Sequence, residues 1–208
     1  MTAGGADPAA FPSIGAALAR AHRGDIVQVE PGEYAESLTI PEGVELRAAK
    51  PGKVALVAPA GAERWTSIDA AGAGSTIRGV RITATPLAPI AHGIIVGAND
   101  VTVDDVTLEG PIEVGVDVRA PGATVRASRF DRLAGTGVRL ADEGASLRQN
   151  VFRSASQAAL PAVEAVGGVS ASFDSNVFMH FAHVIEPESR TDDLIGRDNF
   201  VILATVKR

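Results

Sequence analysis

The chain has 208 residues, a formal net charge of −6, 22 glycines and no cysteine. That length suffices for one domain with a real core, and aromatics at 4% leave Val, Ile, Leu and Ala to fill most of it. The acidic balance argues against nucleic acid or an anionic membrane as a partner. The lack of cysteine excludes disulfides, thiolate zinc sites and cysteine nucleophiles.

In chain order, residues 1–8 carry no basic region and no long apolar run, so no signal peptide is expected. No segment approaches the roughly 18 apolar residues of a membrane helix, and a cytoplasmic chain is the expectation. Residues 12–22 place Ile14, Ala17, Leu18 and Ala21 at helical spacing, with Pro12 before and Gly24 after, which predicts an N-terminal cap helix. Short runs at 26–29, 37–40, 44–46, 54–57 and 76–78 mostly alternate apolar with polar, as half-buried strands do. A second strand family starts at Gly93, Gly115 and Gly137, at steps of 22 residues. An offset of seven residues then links Val96 to Val103, Val118 to Val125, Leu140 to Leu147 and Val166 to Phe173.

Two longer series run in lockstep. Ile77, Val103, Val125, Leu147, Phe173 and Ile195 are separated by 26, 22, 22, 26 and 22 residues. Each lies five residues before Ile82, Leu108, Phe130, Phe152, Phe178 or Phe200. Such a period means a solenoid. It predicts an all-β parallel β-helix of about eight coils over 25–203, a rod of roughly 40 Å, within one domain spanning 1–208. Phe130, Phe152, Phe178 and Phe200 are expected to form one internal stack. Asn150 and Asn176, with Ser128 and Asp198 as counterparts, are expected to form a polar ladder at a bend. Residues 200–206 are apolar with no cap. They either fold over the last coil or meet a second subunit or further domain.

Gly24, Asp25, Val29, Pro31, Gly32, Tyr34, Glu36 and Ile40 lie within 11–46, a short helical segment followed by strand-like runs. This stretch resembles the entry segment of pectin lyase-like right-handed β-helix proteins. The resemblance implies the right-handed fold. It does not select an activity, because that fold hosts lyases, hydrolases, esterases, epimerases, phage adhesins and catalytically silent modules.

One residue after each member of the first series stand Arg78, Asp104, Arg126, Arg148, Asp174 and Gly196, which places a charged row on one outer face. The lyases of that fold pair carboxylate-bound calcium with an arginine base. On that reading Asp104, Arg126, Arg148 and Asp174 are the site candidates, and Asp104 and Asp174 would hold the calcium. The plainer reading, which we favour, is a solvated ladder of alternating charges, each pair worth under about 1 kcal/mol. Arg126 beside Arg148 is its like-charge step and could attract an anion. Asp104-Asp105 is a weak match to the paired aspartates of glycoside hydrolases, since adjacent strand residues point to opposite sides. Asp117 and Arg139 could mimic an esterase pattern whose glutamine-bearing surroundings are missing.

His180 and His183, with Glu186 and Glu188 nearby, read as turn histidines rather than metal ligands, and His22 and His92 offer less. Trp65 reads as a packed loop anchor. No G-x-S-x-G context and no phosphate loop occur. The excursions at 58–73, 83–92 and 154–162 are modest and rich in Ala, Pro and Gly, poor material for a deep cleft. The leading expectation is therefore a non-catalytic scaffold or binding module, one domain of a larger signalling or ATPase protein, with a protein or carbohydrate partner. The alternatives are a small lyase or hydrolase acting on acidic polysaccharide and a module that self-assembles through its C-terminal end. No cofactor is expected, except calcium on the lyase reading.

Overall fold

The computed structural model describes residues 2–3, 11–158, 160–188, 190, 192 and 197–203. Each coil supplies three short strands, and equivalent strands of successive coils pair in parallel. Sheet 1 runs from Thr2–Ala3 and Ile26–Val29 through Glu45–Ala48, Thr76–Arg78, Thr102–Asp104, Thr124–Arg126 and Ala145–Arg148 to Ala171–Asp174. Sheet 2 runs from Leu38–Thr39 through Trp65–Ala70, Ile90–Val96, Ile112–Val118, Thr136–Leu140 and Val163–Ala165 to Ile185–Glu186. Sheet 3 runs from Gly32–Tyr34 through Val54–Val57, Val80–Thr83, Thr107–Glu109, Arg129–Asp131, Val151–Ala158 and Val177–Phe181 to Phe200–Leu203. The result is a right-handed parallel β-helix with sheets of eight, seven and eight strands.

Parallel in-register pairing puts like side chains over like. Ile77, Val103, Val125, Leu147 and Phe173 stack in that order inside sheet 1, and all are fully buried. Ile195, the last member of that series, lies outside the described residues. Inside sheet 3, Phe130 stacks on Phe152 at 4.4 Å between ring centres, and Phe152 on Phe178 at 4.9 Å, with planes 7° and 13° apart. The glycines of sheet 2 make room for these rings. A Cβ on Gly137 would meet a Phe152 ring carbon at 2.8 Å and the Ala162 carbonyl oxygen at 2.8 Å.

Sheet 1 turns into sheet 3 through one left-handed residue per coil. Asp105, Ala127, Gln149 and Ser175 have φ between 51° and 57°. Each donates its N–H to the carbonyl one coil further on, that of Arg126, Arg148, Asp174 or Arg197, so the bend keeps the inter-coil ladder intact. The residue after it caps its neighbour. The Asn150 side chain accepts from the Ser128 N–H at 3.0 Å, Asn176 from the Asn150 N–H at 3.0 Å, and Asn199 from the Asn176 N–H at 3.0 Å.

Two expectations are corrected at the far end. The last coil carries one residue more than the 22-residue repeat, so Asn199 rather than Asp198 continues the asparagine ladder. Val201 then pairs with Phe178, and Phe200 pairs with Val177 and is 60% exposed, outside the stack. Val201 and Ile202 are also exposed, and 204–206 lie outside the described residues. A similar one-residue shift sets Ala165, not Val166, against Leu140.

The N-terminal cap is the short helix Ile14–Leu18, which buries Ile14, Ala17 and Leu18. The Ser13 hydroxyl accepts the Ala16 N–H at 3.1 Å, and Glu36 accepts those of Ile14 and Gly15 at 3.1 and 2.9 Å. Asp25 accepts the His22 N–H at 2.8 Å, and the Tyr34 hydroxyl donates to the Glu30 carbonyl at 2.9 Å. In the entry pattern Glu36 thus seats the helix on the first coil, while Asp25 and Tyr34 hold the turns on either side of the strand Ile26–Val29.

Asn150→Ala should lower stability by about 2–4 kcal/mol, because it strands the Ser128 N–H and removes a donor to the Val125 carbonyl. Gly137→Ala should also destabilise, through its clash with the Phe152 ring. Denaturant unfolding of the two variants against wild type checks both.

Candidate functional site

On a strand with one face buried, alternate residues point outward. The outer face of sheet 1 therefore carries two rows. One reads Gln28, Arg47, Arg78, Asp104, Arg126, Arg148, Asp174. The other, two residues earlier, reads Ile26, Glu45, Thr76, Thr102, Thr124, Ser146, Ser172. The row foreseen from Arg78 to Asp174 is present in that register. At its next place the structure sets Arg197, whose carbonyl accepts from Ser175, where the 22-residue step had pointed to Gly196.

Asp104 is the hub of this row. It is 8% exposed, and its Oδ2 takes Arg78 at 2.7 Å and Arg126 at 2.8 Å. Asp174 is exposed and accepts from the Ser175 hydroxyl at 3.2 Å. It lies three strands beyond Asp104, about 14 Å at the usual spacing of ~4.8 Å between strands. The four candidates thus share one face, but the two carboxylates do not meet. Asp105 occupies the left-handed bend and is exposed, so the hydrolase-like pair is split across a corner of the coil. Asp131 on sheet 3, passed over in the sequence, binds Arg153 through two contacts of 2.7 and 2.8 Å. That hydrogen bonding holds its carboxyl below the usual range.

A second cluster lies on sheet 2. Asp117 points outward yet is 2% exposed, because Arg119 folds over it with Nη2 at 2.6 Å and Nε at 2.8 Å, and His92 Nε2 lies at 3.4 Å. Arg119 Nη2 also stands 3.4 Å from His92 Nε2. A guanidinium can only donate and a carboxylate can only accept, so which of the two neighbours Nε2 serves depends on the imidazole tautomer. Burial first, and the charge of Arg119 with it, hold His92 below its ordinary range, while Asp117 pulls the other way. Arg139 is in register with Asp117, but its ion pair is with Glu164 at 3.6 Å. Sequence reasoning missed Arg119. The signal was the spacing Asp117-x-Arg119, the same as Glu45-x-Arg47, which lets an arginine just past the strand end fold back onto the acid.

The remaining candidates are dispersed. His183 Nδ1 lies 3.4 Å from Glu188, and His180 takes a left-handed bend. His22 is exposed beside Asp25. No group of three His, Cys, Asp or Glu side chains gathers as a metal site among the described residues. Trp65 is half-buried against the core.

Residues 2–180 match the model of a family described as "Protein of unknown function (DUF1565)". The chain belongs to the DUF1565 family. No curated protein matches it. Among solved structures it is similar to pectin methylesterase PemA from Erwinia chrysanthemi, with 14% identity and a TM-score of 0.53 over 90% of this chain and 66% of that one. It is also similar to a pectin methylesterase in complex with hexasaccharide VII, with 14% identity and a TM-score of 0.47 over 92% of this chain and 66% of that one. The chain thus spans just under two thirds of each. At such identity the likeness to PemA is one of fold, the pectin lyase-like β-helix. Among the described residues no helix is long and apolar enough to cross a membrane.

The depressed His92 carries a prediction. The unfolded chain binds that proton more tightly, so its contribution makes stability rise with pH through about 6.5 and fall on acidification. His92→Asn should flatten that part of the profile between about pH 5 and 7, measured by urea unfolding across the range.

Proposed function

We propose that the chain is a β-helix binding module that holds carbohydrate against a strand face without turning it over. The observation that carries this reading is the state of the carboxylates on sheet 1. Asp104 is closed by Arg78 and Arg126 at 2.7 and 2.8 Å, and Asp174 is about 14 Å away at ~4.8 Å per strand. Inverting glycoside hydrolysis needs an acid and a base about 6.5–9.5 Å apart. Calcium needs its oxygens at about 2.3–2.6 Å. This pair supports neither. What the face offers is a row of hydroxyls from Thr76 to Ser172 beside a row of arginines and aspartates from Arg78 to Asp174, repeated at the coil spacing. Such a face suits hydrogen bonding to a polymer of hydroxylated units. The fold shared with a protein named for methylesterase action on pectin supports carbohydrate as the ligand class.

The second reading is a hydrolase centred on sheet 2. It is favoured by the buried Asp117 behind a neutral, half-buried His92, the kind of perturbed pair that collects at active sites. Calorimetric titration and reducing-end assays over a panel of neutral and acidic polysaccharides, with and without calcium, separate the two. We expect saturable binding and no turnover. Turnover that disappears in Asp117→Asn would replace the binding reading with the hydrolase.

A further inference from the structure

Two steps of the charged row on sheet 1 set arginine beside arginine: Arg47 against Arg78, and Arg126 against Arg148. The protein closes the first itself. Glu45 stands two residues before Arg47 on the same face. Its carboxylate takes Arg47 through Nε at 2.7 Å and Nη2 at 2.8 Å, and Arg78 Nε lies 3.9 Å from it. At the second step the places equivalent to Glu45 hold Thr124 and Ser146. Asp104 serves Arg126 from the coil before. Arg148 is exposed and makes no ion pair among the described residues, although Asp174 is its register partner.

We propose that Arg148, together with Arg126 and the hydroxyls of Thr124 and Ser146, binds the carboxylate of a uronate unit in a glycan, an inference that rests on the carbohydrate reading above. The anion takes the place that Glu45 fills at the earlier like-charge step. A planar carboxylate fits the guanidinium fork. Asp104 divides its one negative charge between Arg78 and Arg126, so the step from Arg126 to Arg148 keeps a net positive charge, which suits an anion. The neighbouring run of Thr76, Thr102, Thr124, Ser146 and Ser172 supplies hydroxyls for the rest of the sugar. A polyhydroxylated acid suits that combination better than an acidic peptide, whose carboxylates come with few hydroxyls.

Calorimetry with a galacturonate trisaccharide, its neutral methyl-esterified form and a glutamate hexapeptide tests the site. The acid trisaccharide should bind best. Arg148→Ala should weaken its binding about tenfold and leave the neutral form unchanged, the usual scale for a lost charge-assisted hydrogen bond. Ser146→Glu should have the same effect while keeping the arginine, since it places a carboxylate two residues before Arg148 as Glu45 precedes Arg47. Arg47→Ala should change nothing. Thermal melts of all three variants confirm that they remain folded. Equal affinity for acid and neutral sugar, or an acid affinity untouched by Arg148→Ala and Ser146→Glu, overturns the site and leaves the carbohydrate reading standing. Binding of the peptide but of neither sugar, or of none of the three probes, overturns both.

Discussion

Everything in this molecule depends on backbone hydrogen bonding between successive coils. Each coil pairs with the next at about 4.8 Å, in register and in parallel. Once that is fixed, every side chain sits over its equivalent one coil away, and the sequence must satisfy a one-dimensional stacking rule at each position. Apolar positions satisfy it with little cost, as the buried series from Ile77 to Phe173 does. The bend between sheets 1 and 3 is harder, because a corner leaves N–H groups unmatched. One left-handed residue per coil, followed by a side-chain oxygen from Ser128, Asn150, Asn176 or Asn199, supplies the missing acceptors.

Charge is where the stacking rule bites, since like charges directly opposite repel. Three remedies appear on this surface. A carboxylate in the same row separates two arginines, as Asp104 does between Arg78 and Arg126. A carboxylate two residues earlier on the same strand folds onto its own arginine, as Glu45 does on Arg47, and Asp117 with Arg119 is a variant of it. A cross-coil pair forms on another face, as Asp131 does with Arg153. Exposed pairs of this kind are worth little in stability. Their chief effect is to set which charges remain open to a ligand.

The repeat made the fold legible. A period of 22 residues with insertions of four, seen in hydrophobic residues alone, implied the parallel pairing, the inward ladder and the Phe130–Phe152–Phe178 stack. The clamps at the start were legible as well, because Asp25, Tyr34 and Glu36 each act on backbone groups close by in space and fixed in spacing. Legibility ended where one residue was added. In the last coil the period alone kept Phe200 in the stack, and the hydrophobic pattern did not mark the extra residue. The competing signal was Asn199, whose amide fits the corner cap better than the Asp198 carboxylate, which can only accept and cannot donate to the Phe173 carbonyl as Asn199 does.

The sites followed a different logic. Asp104, Arg126, Arg148 and Asp174 were found from periodicity, because the outward row is tied to the inward one by strand alternation. Periodicity says which residues neighbour one another, not which partner a flexible side chain chooses. Arg139 lies in register with Asp117 but turns to Glu164, and Asp117 is covered instead by Arg119 and His92, one just past the end of its own strand and one from the coil before. A long guanidinium reaches along its strand as easily as across to the next, so the compensation of any charge has to be read in both directions. Read that way, Arg148 differs from Arg78 and Arg126, which also follow a threonine by two residues but share Asp104: the coil before Arg148 offers an arginine, and the aspartate after it accepts from a serine.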